Sequence, residues 1–257
     1  MTAGQQSWLD LFSSVAGDYA RYRPHYPAAL FDYLISQCPA TDHVWDCATG
    51  NGQAAIALAE RFTRVTATDA SADQLSQAPD HPAIEYAVAA AENSGLAGSS
   101  VDLVCVAQAL HWFDLPAFYR EVHRVLRADG ILAVWSYAIT RAETPAVDEV
   151  LQFYYHQTLE PYWLPQRRWV EQGYRQLPFP YSELQPPSLS MEMRMTREQL
   201  LGYLNTWSAT SRCREATGNE PLQPVNEALL KAWPQNQDQL LISWPLNLRL
   251  GRRPADQ

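Results

Sequence analysis

Lysine is almost missing from this 257-residue sequence: Lys231 is the only lysine, and the other 18 basic residues are arginines. Because Lys231 lies far from any glycine-rich turn, a phosphate-binding loop of the lysine-containing type is excluded. Positive charge is scarce overall, since the formal net charge is -9 and the isoelectric point is about 5.1. This balance weighs against a nucleic acid or an anionic membrane surface as the main partner.

Closely spaced metal ligands and paired cysteines are also missing. The four cysteines lie far apart, without a C-x-x-C pair, at Cys38, Cys47, Cys105 and Cys213. Neither a zinc ribbon nor a disulfide scaffold is therefore indicated. The histidines show no ligand spacing and no acidic cluster suggests a divalent cation, so no metal site is predicted. We expect reduced thiols in a cytoplasmic protein.

Long hydrophobic runs are the third absence. Nowhere do about 18 apolar residues follow one another, and Met1 to Asp10 carry no positive charge and lead into no apolar segment. The sequence thus predicts no membrane span and no signal peptide. What it does contain is 47% apolar and 11% aromatic residues, enough to bury the core of one globular domain with added segments.

Short β-rich runs alternate with helical patterns between residues 43 and 136, which is typical of βαβ units and a mainly parallel sheet. The five runs are His43–Cys47, Arg64–Asp69, Ile84–Val88, 101–106 and 131–136. Apolar residues at helical spacing predict helices over 53–62 and after Asp114, the latter ending at 128–130. The chain is therefore predicted to be an α/β protein.

The composition changes after this region. Residues 137–187 are rich in proline, tyrosine and tryptophan, which predicts short helices joined by rigid turns in an insertion or lid. Alternating apolar residues over 188–195 and 240–250 predict two further half-buried strands.

The first predicted strand runs into a glycine turn, Ala48-Thr49-Gly50-Asn51-Gly52, and then into a helix. Glycines at this place let the chain turn sharply and present backbone N–H groups to a ligand at the carboxyl end of the strand. Gly50-x-Gly52-x-x-Ala55 satisfies the relaxed dinucleotide fingerprint, so an NAD enzyme is one candidate.

Asp46, just before this turn, distinguishes between two adenosyl ligands. Toward the pyrophosphate of NAD it would be repulsive, by roughly 2 kcal/mol for unit charges about 7 Å apart at an effective dielectric of about 20. S-adenosylmethionine has no phosphate and carries a positive ammonium and a positive sulfonium, so the same carboxylate is attractive. The alternative is that Asp46 only caps the turn.

A second acid, Asp69, ends the second predicted strand. Its spacing from Gly50 suits a carboxylate that accepts hydrogen bonds from both ribose hydroxyls, which either ligand requires. The alternative is a solvent-facing N-cap for a helix starting at Ser71.

Together these residues resemble those of the class I S-adenosylmethionine-dependent methyltransferases, and more closely the small-molecule branch (methyltransferase type 11) that includes trans-aconitate methyltransferase-like enzymes. The resemblance covers residues 12–136 and also rests on Ala90-Ala91-Glu92-Asn93, on 101–113 and on 125–130, in the order of the family. Ala48 stands where the first glycine of the family is usual, which is costly if that residue needs a positive φ.

The resemblance implies a Rossmann-like seven-stranded sheet of order 3-2-1-4-5-7-6, with strand 7 antiparallel and with helical lid segments. It divides a single methyltransferase domain, 1–257, into an N-terminal cap (1–40), a cofactor-binding core (41–136), a lid insertion (137–187) and C-terminal strands with lid helices (188–257). The implied cofactor is S-adenosylmethionine, and its implied binding residues are Tyr19, Arg23, Asp46, Ala48, Gly50, Gly52, Asp69, Ala91, Glu92 and Gln108.

The acceptor is predicted to be a small molecule with a carboxylate or a hydroxyl group. His111, in the loop after the fourth strand, is placed to act as a base toward a hydroxyl; its alternative role is packing. Arg167 and Arg168 are the only basic pair in the lid and suffice to clamp one carboxylate. The residues predicted to enclose the acceptor are also suited to the lid core: Tyr154, Tyr155, Tyr162, Trp163, Trp169, Tyr203 and Trp207.

Two functions of other classes remain open at this point. One is an NAD-dependent oxidoreductase, and the other is a catalytically silent protein that binds an adenosyl ligand and acts through a partner surface.

Overall fold

The β-rich runs form the predicted parallel sheet in the computed structural model, which describes residues 24–137 and 139–255. The strands are β1 (His43–Cys47), β2 (Arg64–Asp69), β3 (Ile84–Val88), β4 (Val101–Ala107) and β5 (Leu126–Tyr137). β1 is buried along its whole length, β2 is exposed only at Arg64, and β4 is buried except for the half-buried Ala107 at its end. Burial on both faces of the sheet explains why β4 is almost continuously apolar in the sequence.

The strands lie in the order β3-β2-β1-β4-β5-β9, where β9 (Leu240–Arg252) is the last strand of the chain. Neighbours from β3 to β5 are parallel, and β9 is antiparallel to β5. The predicted order 3-2-1-4-5 followed by an antiparallel strand is therefore confirmed. From β1 the chain adds β2 and β3 on one side of the sheet, and it then adds β4 and β5 on the other side of β1. Open α/β sheets form their binding crevice at such a change of direction, which here lies between β1 and β4.

Helix α1 (Ala28–Gln37) precedes β1, and three helices connect the strands: α2 (Gln53–Ala59), α3 (Ala72–Leu75) and α4 (Leu115–Val125). The predicted helix after Asp114 is α4, and the Asp114 side chain caps it by accepting from the Ala117 amide at 3.2 Å. Its buried face packs with Trp45 of β1 and Leu132 of β5 in one hydrophobic cluster.

The turn predicted at 128–130 is part of β5 instead. The strand begins at Leu126, directly after α4, and its pairing with β4 shifts register between Val101 and Leu103. Asp129 has a φ of 61°, so the strand bends here without ending. An irregularity of this kind lets pairing start before the apolar run that marks the strand in the sequence.

The described residues form two compact units, which divide the predicted lid. The sheet unit comprises 26–137, 168–189 and 246–255 and includes the short strand β7 (Glu183–Leu184) beside β9. The helical unit comprises 139–167 and 190–245. Only the first part of the predicted insertion, up to Arg167, therefore belongs to the helical unit.

Short helices and proline-containing turns build the helical unit, as predicted. They are α5 (Pro145–Phe153), a π-helical turn (Tyr154–Thr158), a 3-10 turn (Glu160–Tyr162), α7 (Arg197–Asn205), α8 (Ser208–Thr217) and α9 (Leu222–Ala232), with α6 (Arg167–Glu171) starting at its boundary. Strands β6 (Arg141–Ala142) and β8 (Leu189–Met195) pair with β9. Within residues 24–137 and 139–255, every helix is too short or too polar to span a bilayer.

Aromatic side chains form the core of the helical unit. Four of the seven predicted pocket aromatics are almost fully buried there: Tyr154, Tyr155, Tyr203 and Trp207. The Tyr203 hydroxyl accepts a hydrogen bond of 2.7 Å from the Trp244 indole. These four residues therefore have the packing role that was the alternative to lining a pocket, whereas Trp163 stays half-buried.

Candidate functional site

The predicted site residues of the sheet unit follow the carboxyl ends of four neighbouring strands. Asp46 and Asp69 lie at the ends of β1 and β2, Ala91 and Glu92 follow β3, and Gln108 follows β4. Because these strands are adjacent and parallel, their carboxyl ends meet at one edge of the sheet. The fold therefore brings these five residues to the edge where α/β sheets bind ligands.

Asp46 is completely buried at this edge. Its Oδ2 accepts a hydrogen bond of 2.5 Å from the Thr49 hydroxyl, whereas Oδ1 has no hydrogen-bond partner among the described residues. Burial raises the pKa of Asp46 to about 7; the Thr49 hydroxyl opposes this rise, and the negative charge of Asp69 adds to it. A buried carboxyl group with one free oxygen is costly, and a nearby positive charge would relieve that cost.

Asp69 ties the end of β2 to the glycine turn. Its Oδ2 accepts from the Gly50 amide at 2.9 Å and its Oδ1 from the Ser71 amide at 2.8 Å, while 7% of the residue stays exposed. Burial raises its pKa, and hydrogen bonds from the backbone of Ser71, Gly50 and Ala70 oppose that rise. The N-cap of α3 is Ser71 itself, whose hydroxyl accepts from the Gln74 amide. Each Asp69 oxygen keeps a lone pair for a further donor.

The glycine turn is built from left-handed backbone. Ala48, Gly50 and Gly52 have φ angles of 57°, 60° and 81°. Ala48 therefore holds a conformation that its side chain disfavours, as expected where the family has glycine. A Cβ at Gly52 would lie 2.6 Å from Oη of Tyr86 and displace that hydroxyl from its hydrogen bond to Pro79.

The remaining residues of the edge connect strands to helices. Oε1 of the half-buried Glu92 accepts from the Asp114 amide at 2.9 Å, which links the segment after β3 to the start of α4. Ala91 beside it is buried. Gln108 has a φ of 60°, and its backbone N–H donates to the Trp135 carbonyl at 2.9 Å. The chain therefore turns sharply where β4 ends.

His111 lies in a single 3-10 turn, Leu110–Trp112, shortly after β4. Its Nδ1 is 3.0 Å from Oη of Tyr174, and the two rings stack with their centroids 5.8 Å apart. The Trp112 ring packs against the imidazole at a centroid distance of 4.7 Å. The half-buried His111 is thus held in one orientation, which suits both packing and proton transfer.

Tyr174 is a residue of this site that the sequence interpretation did not single out. It is completely buried, and its φ of 60° follows the φ of 59° of Gly173. The signal in the sequence was Gly173, since a glycine just after a helix marks a left-handed residue that ends it. A Cβ at Gly173 would lie 2.7 Å from the Asn247 side chain, so glycine also provides the space for β9.

Arg249 holds the backbone of Tyr174. Its Nη1 donates to the Tyr174 carbonyl at 2.6 Å and to the Leu177 carbonyl at 2.8 Å. Its Nε and Nη2 donate to the two carboxylate oxygens of Glu183 at 2.9 and 2.7 Å. This bidentate pair fixes the guanidinium and lowers the pKa of Glu183.

Two predicted cofactor residues, Tyr19 and Arg23, lie outside the described residues. The predicted basic pair makes two separate contacts. Arg167 lies over Trp163 of the helical unit, with Cζ 5.0 Å from the ring centroid, and Arg168 lies over Trp169 at 4.4 Å. Although adjacent in sequence, the two arginines bind different aromatic rings.

Residues 45–134 match the family model described as a methyltransferase domain. The chain is 33% identical over 227 residues to a Dictyostelium discoideum protein named as a methyltransferase, covering 87% of this chain and 86% of that protein. A Saccharomyces cerevisiae protein named as an S-adenosylmethionine-dependent methyltransferase is 30% identical over 146 residues, 53% of this chain and 50% of the relative. The solved structure of a type II methyltransferase from Anaeromyxobacter dehalogenans is 45% identical, with a TM-score of 0.87, and covers 91% of this chain and 99% of that one. The similarity thus extends well beyond the segment that the domain model matches.

Proposed function

The chain belongs to the S-adenosylmethionine-dependent methyltransferases, and from this premise we propose that it methylates a small-molecule acceptor on a carboxylate or a hydroxyl oxygen. Membership of this family confirms the predicted enzyme class and the predicted cofactor. The oxidoreductase and the catalytically silent binding protein are therefore rejected as alternatives.

The residues at the carboxyl edge of the sheet fit this cofactor. Oδ1 of Asp46, which has no hydrogen-bond partner among the described residues, belongs to a buried carboxyl group whose ionised form the ammonium and sulfonium charges would stabilise. Because Asp46 has no exposed surface, it acts on these charges across the turn, without direct contact. Asp69 accepts hydrogen bonds from the ribose hydroxyls, and the left-handed turn from Ala48 to Gly52 lets the main chain approach closely.

When bound, the cofactor would supply a methyl group for transfer to the acceptor oxygen, with its positively charged sulfur as the leaving group that retains the electron pair of the carbon–sulfur bond. The protein must hold the acceptor in line, about 3 to 3.5 Å from the methyl carbon, and exclude water. A carboxylate acceptor has no proton to lose. A hydroxyl acceptor passes its proton to Nε2 of His111, while Nδ1–H donates to the Tyr174 hydroxyl.

The observation that carries this proposal is the row of side chains along the sheet edge, with His111 oriented by Tyr174 in the segment that follows β4. The acidic net charge of -9 supports a small acceptor over a nucleic acid, which would need basic residues along its phosphates. We also propose that the enzyme works in the cytoplasm. Its four cysteines are free thiols, and burial raises the pKa of Cys38 to about 12.

The test is a transfer assay with a panel of small carboxylic acids and phenols, with tRNA and single-stranded DNA as comparison acceptors. Formation of S-adenosylhomocysteine is followed by mass spectrometry. We expect turnover with an acid or a phenol and none with the nucleic acids. His111→Asn separates the two acceptor classes, since turnover of a phenol should fall by about 10²-fold while turnover of a carboxylate is unchanged. Methylation of tRNA without turnover of any acid or phenol would overturn the proposal.

A further inference from the structure

Arg167 is held on one edge and one face within the helical unit. Its Nε donates to the Tyr155 hydroxyl at 2.7 Å, and its Cζ lies 5.0 Å from the Trp163 ring centroid and 5.5 Å from that of Tyr155. Tyr155 is buried, so the group that orients the guanidinium is itself fixed. An arginine held in this way is pre-organised and loses little further side-chain entropy when it binds a ligand.

In the part of the chain that the structure describes, the opposite edge of this guanidinium has no recorded partner. Among the described residues, no carboxylate lies within ion-pair distance of Arg167, and its side-chain hydrogen bond uses Nε alone. Nη1 and Nη2 therefore remain available as a pair. Two parallel N–H donors match the two oxygens of a carboxylate.

A second arginine, which has no ion pair among the described residues, contacts the segment that carries Trp163. Arg212 of α8 is half-buried, and its Nη1 donates to the carbonyl of Tyr162, the residue before Trp163, at 3.3 Å. Burial lowers the pKa of its guanidinium, against the charge of Glu215. Arg214 on the same helix differs, because both oxygens of Glu220 accept from it at 2.8 and 2.9 Å. Among the described residues, Arg167 and Arg212 thus form no close ion pair, and Glu215 acts on Arg212 only from a distance, whereas Arg214 on the same helix is paired directly.

Trp163 supplies the apolar surface beside these charges. Its ring packs against Tyr155 at 4.7 Å and against Trp207 at 5.7 Å between centroids, and its indole donates to the Tyr155 carbonyl. Tyr155 and Trp207 are buried, whereas Trp163 is only half-buried. A ligand with a flat apolar body fits such a surface.

We propose that Arg167, assisted by Arg212, binds the carboxylate of a small apolar acid whose body packs on Trp163. This proposed carboxylate clamp differs from the predicted pair Arg167 and Arg168, because its two arginines come from different elements of the helical unit. The inference rests on the proposed function in one respect, namely that this acid is the methyl acceptor. Binding and methyl transfer are therefore measured separately.

The binding test uses benzoate and phenylacetate as probes, with benzamide, phenylacetamide and inorganic phosphate as comparisons, on the full chain by calorimetry and tryptophan fluorescence. We expect the acids to bind at least about tenfold more tightly than their amides. Arg167→Gln should abolish this preference, and Arg167→Lys should restore only part of it, because lysine keeps the charge without the paired donors. Trp163→Phe should remove the fluorescence response and retain the preference.

Arg168→Gln is the matched control, since the side chain of this exposed neighbour packs on Trp169 and not on Trp163, and it should leave acid binding unchanged. Unaltered S-adenosylhomocysteine binding shows that each variant is folded. The inference is overturned if no acid binds, if Arg167→Gln retains the preference for acids, or if phosphate competes with benzoate at equal affinity. An acid that binds through Arg167 but is not methylated confirms the site and contradicts the identification of that acid as the acceptor.

Discussion

Nδ1 of His111 lies 3.0 Å from Oη of Tyr174, although the two residues are 63 positions apart in the sequence. Their rings also stack at a centroid distance of 5.8 Å, so the imidazole is fixed at its edge and on its face. Tyr174 is in turn held by Arg249, which donates to its carbonyl and pairs with Glu183. Tyr174 therefore acts as a positioning residue for the proposed base.

Tyr174→Phe tests this role, because it keeps the stacked ring and removes the hydroxyl. We expect kcat for a hydroxyl acceptor to fall by roughly tenfold, well short of a full loss of general-base catalysis, with KM little changed. The pH profile of kcat should also change shape, because the tautomer of His111 is no longer set by a hydrogen bond at Nδ1. Turnover of a carboxylate acceptor should be unaffected.

Tyr181→Phe is the matched control for this experiment. The Tyr181 hydroxyl lies 3.4 Å from Nδ1 of His123 on α4, so the variant removes a second tyrosine–histidine contact of the same unit. It should leave kcat and its pH profile as in the wild type. If both variants lose activity equally, or if the pH profile of Tyr174→Phe is unchanged, the Tyr174 hydroxyl has only a structural role.

Ala48→Gly should stabilise the protein. The φ of 57° at Ala48 costs about 1 to 2 kcal/mol for a residue with a Cβ, whereas glycine adopts it freely. Glycine also destabilises the folded state by roughly 0.5 to 1 kcal/mol, because it increases the entropy of the unfolded chain. The expected net increase in the free energy of unfolding is therefore up to about 1 kcal/mol.

Urea unfolding measures this difference, with Ala57→Gly in α2 as the comparison. Ala57 is in a helix, so its replacement by glycine should destabilise by about 1 kcal/mol. Destabilisation by both substitutions would mean that Ala48 is not strained in the folded protein.

The strands most fully determined by local sequence were predicted to the residue. The bounds of β1, β2 and β3 are those of the β-rich runs, because β-branched and aromatic residues are concentrated in these short segments. The start of β5 was not predicted correctly. Its first residues include Arg127 and Asp129, and this part of the strand pairs with β4 only through an irregular register. Local polarity indicates a turn there, and only the neighbouring strand shows that pairing continues.

The candidate site divides in the same way. Residues of the glycine turn and the acids at strand ends follow from the order of elements along the chain, so their common edge could be predicted. The contact of His111 with Tyr174 depends on how a segment distant in the sequence packs, and no periodic pattern in the sequence predicts it. Arg167 and Arg168 show the converse, because adjacency in sequence suggested a joint role that their separate contacts with Trp163 and Trp169 do not support.

Asp69→Ala should weaken the binding of S-adenosylhomocysteine by about 1.5 to 3 kcal/mol, which is the usual contribution of hydrogen bonds to a charged group. Calorimetry measures this change. Because Asp69 also accepts from the Gly50 and Ser71 amides, part of any loss comes from a disturbed turn. Ser71→Ala is the control, since it removes the cap of α3 and keeps the carboxylate. Equal losses in the two variants would assign the effect to the turn, and wild-type affinity in Asp69→Ala would exclude a role of Asp69 in cofactor binding.

The pKa of Asp46, raised by burial from 3.8 to about 7, makes the stability of the cofactor-free protein depend on pH. The folded state holds this proton more tightly than the unfolded chain does. The resulting contribution to the free energy of unfolding is therefore complete below about pH 4 and is lost as the pH rises through about 7. A difference of about 3 pKa units corresponds to roughly 4 kcal/mol. The pKa of Asp69 is also raised, so its contribution declines in the same direction.

Asp46→Asn removes this ionisation and keeps the shape of the side chain. Near pH 3, where Asp46 is neutral in both the folded and the unfolded chain, the variant should match the wild type to within about 1 kcal/mol. Near pH 5 it should already be more stable by roughly 1.5 kcal/mol, because the unfolded chain has lost its proton, and near pH 8 by up to roughly 4 kcal/mol. Urea unfolding without cofactor at several pH values between these limits measures the difference. Asp238→Asn, which alters an exposed carboxylate, should follow the wild type at every pH. Curves for Asp46→Asn that run parallel to the wild type would contradict the prediction, because they would mean that Asp46 takes up no extra proton on folding.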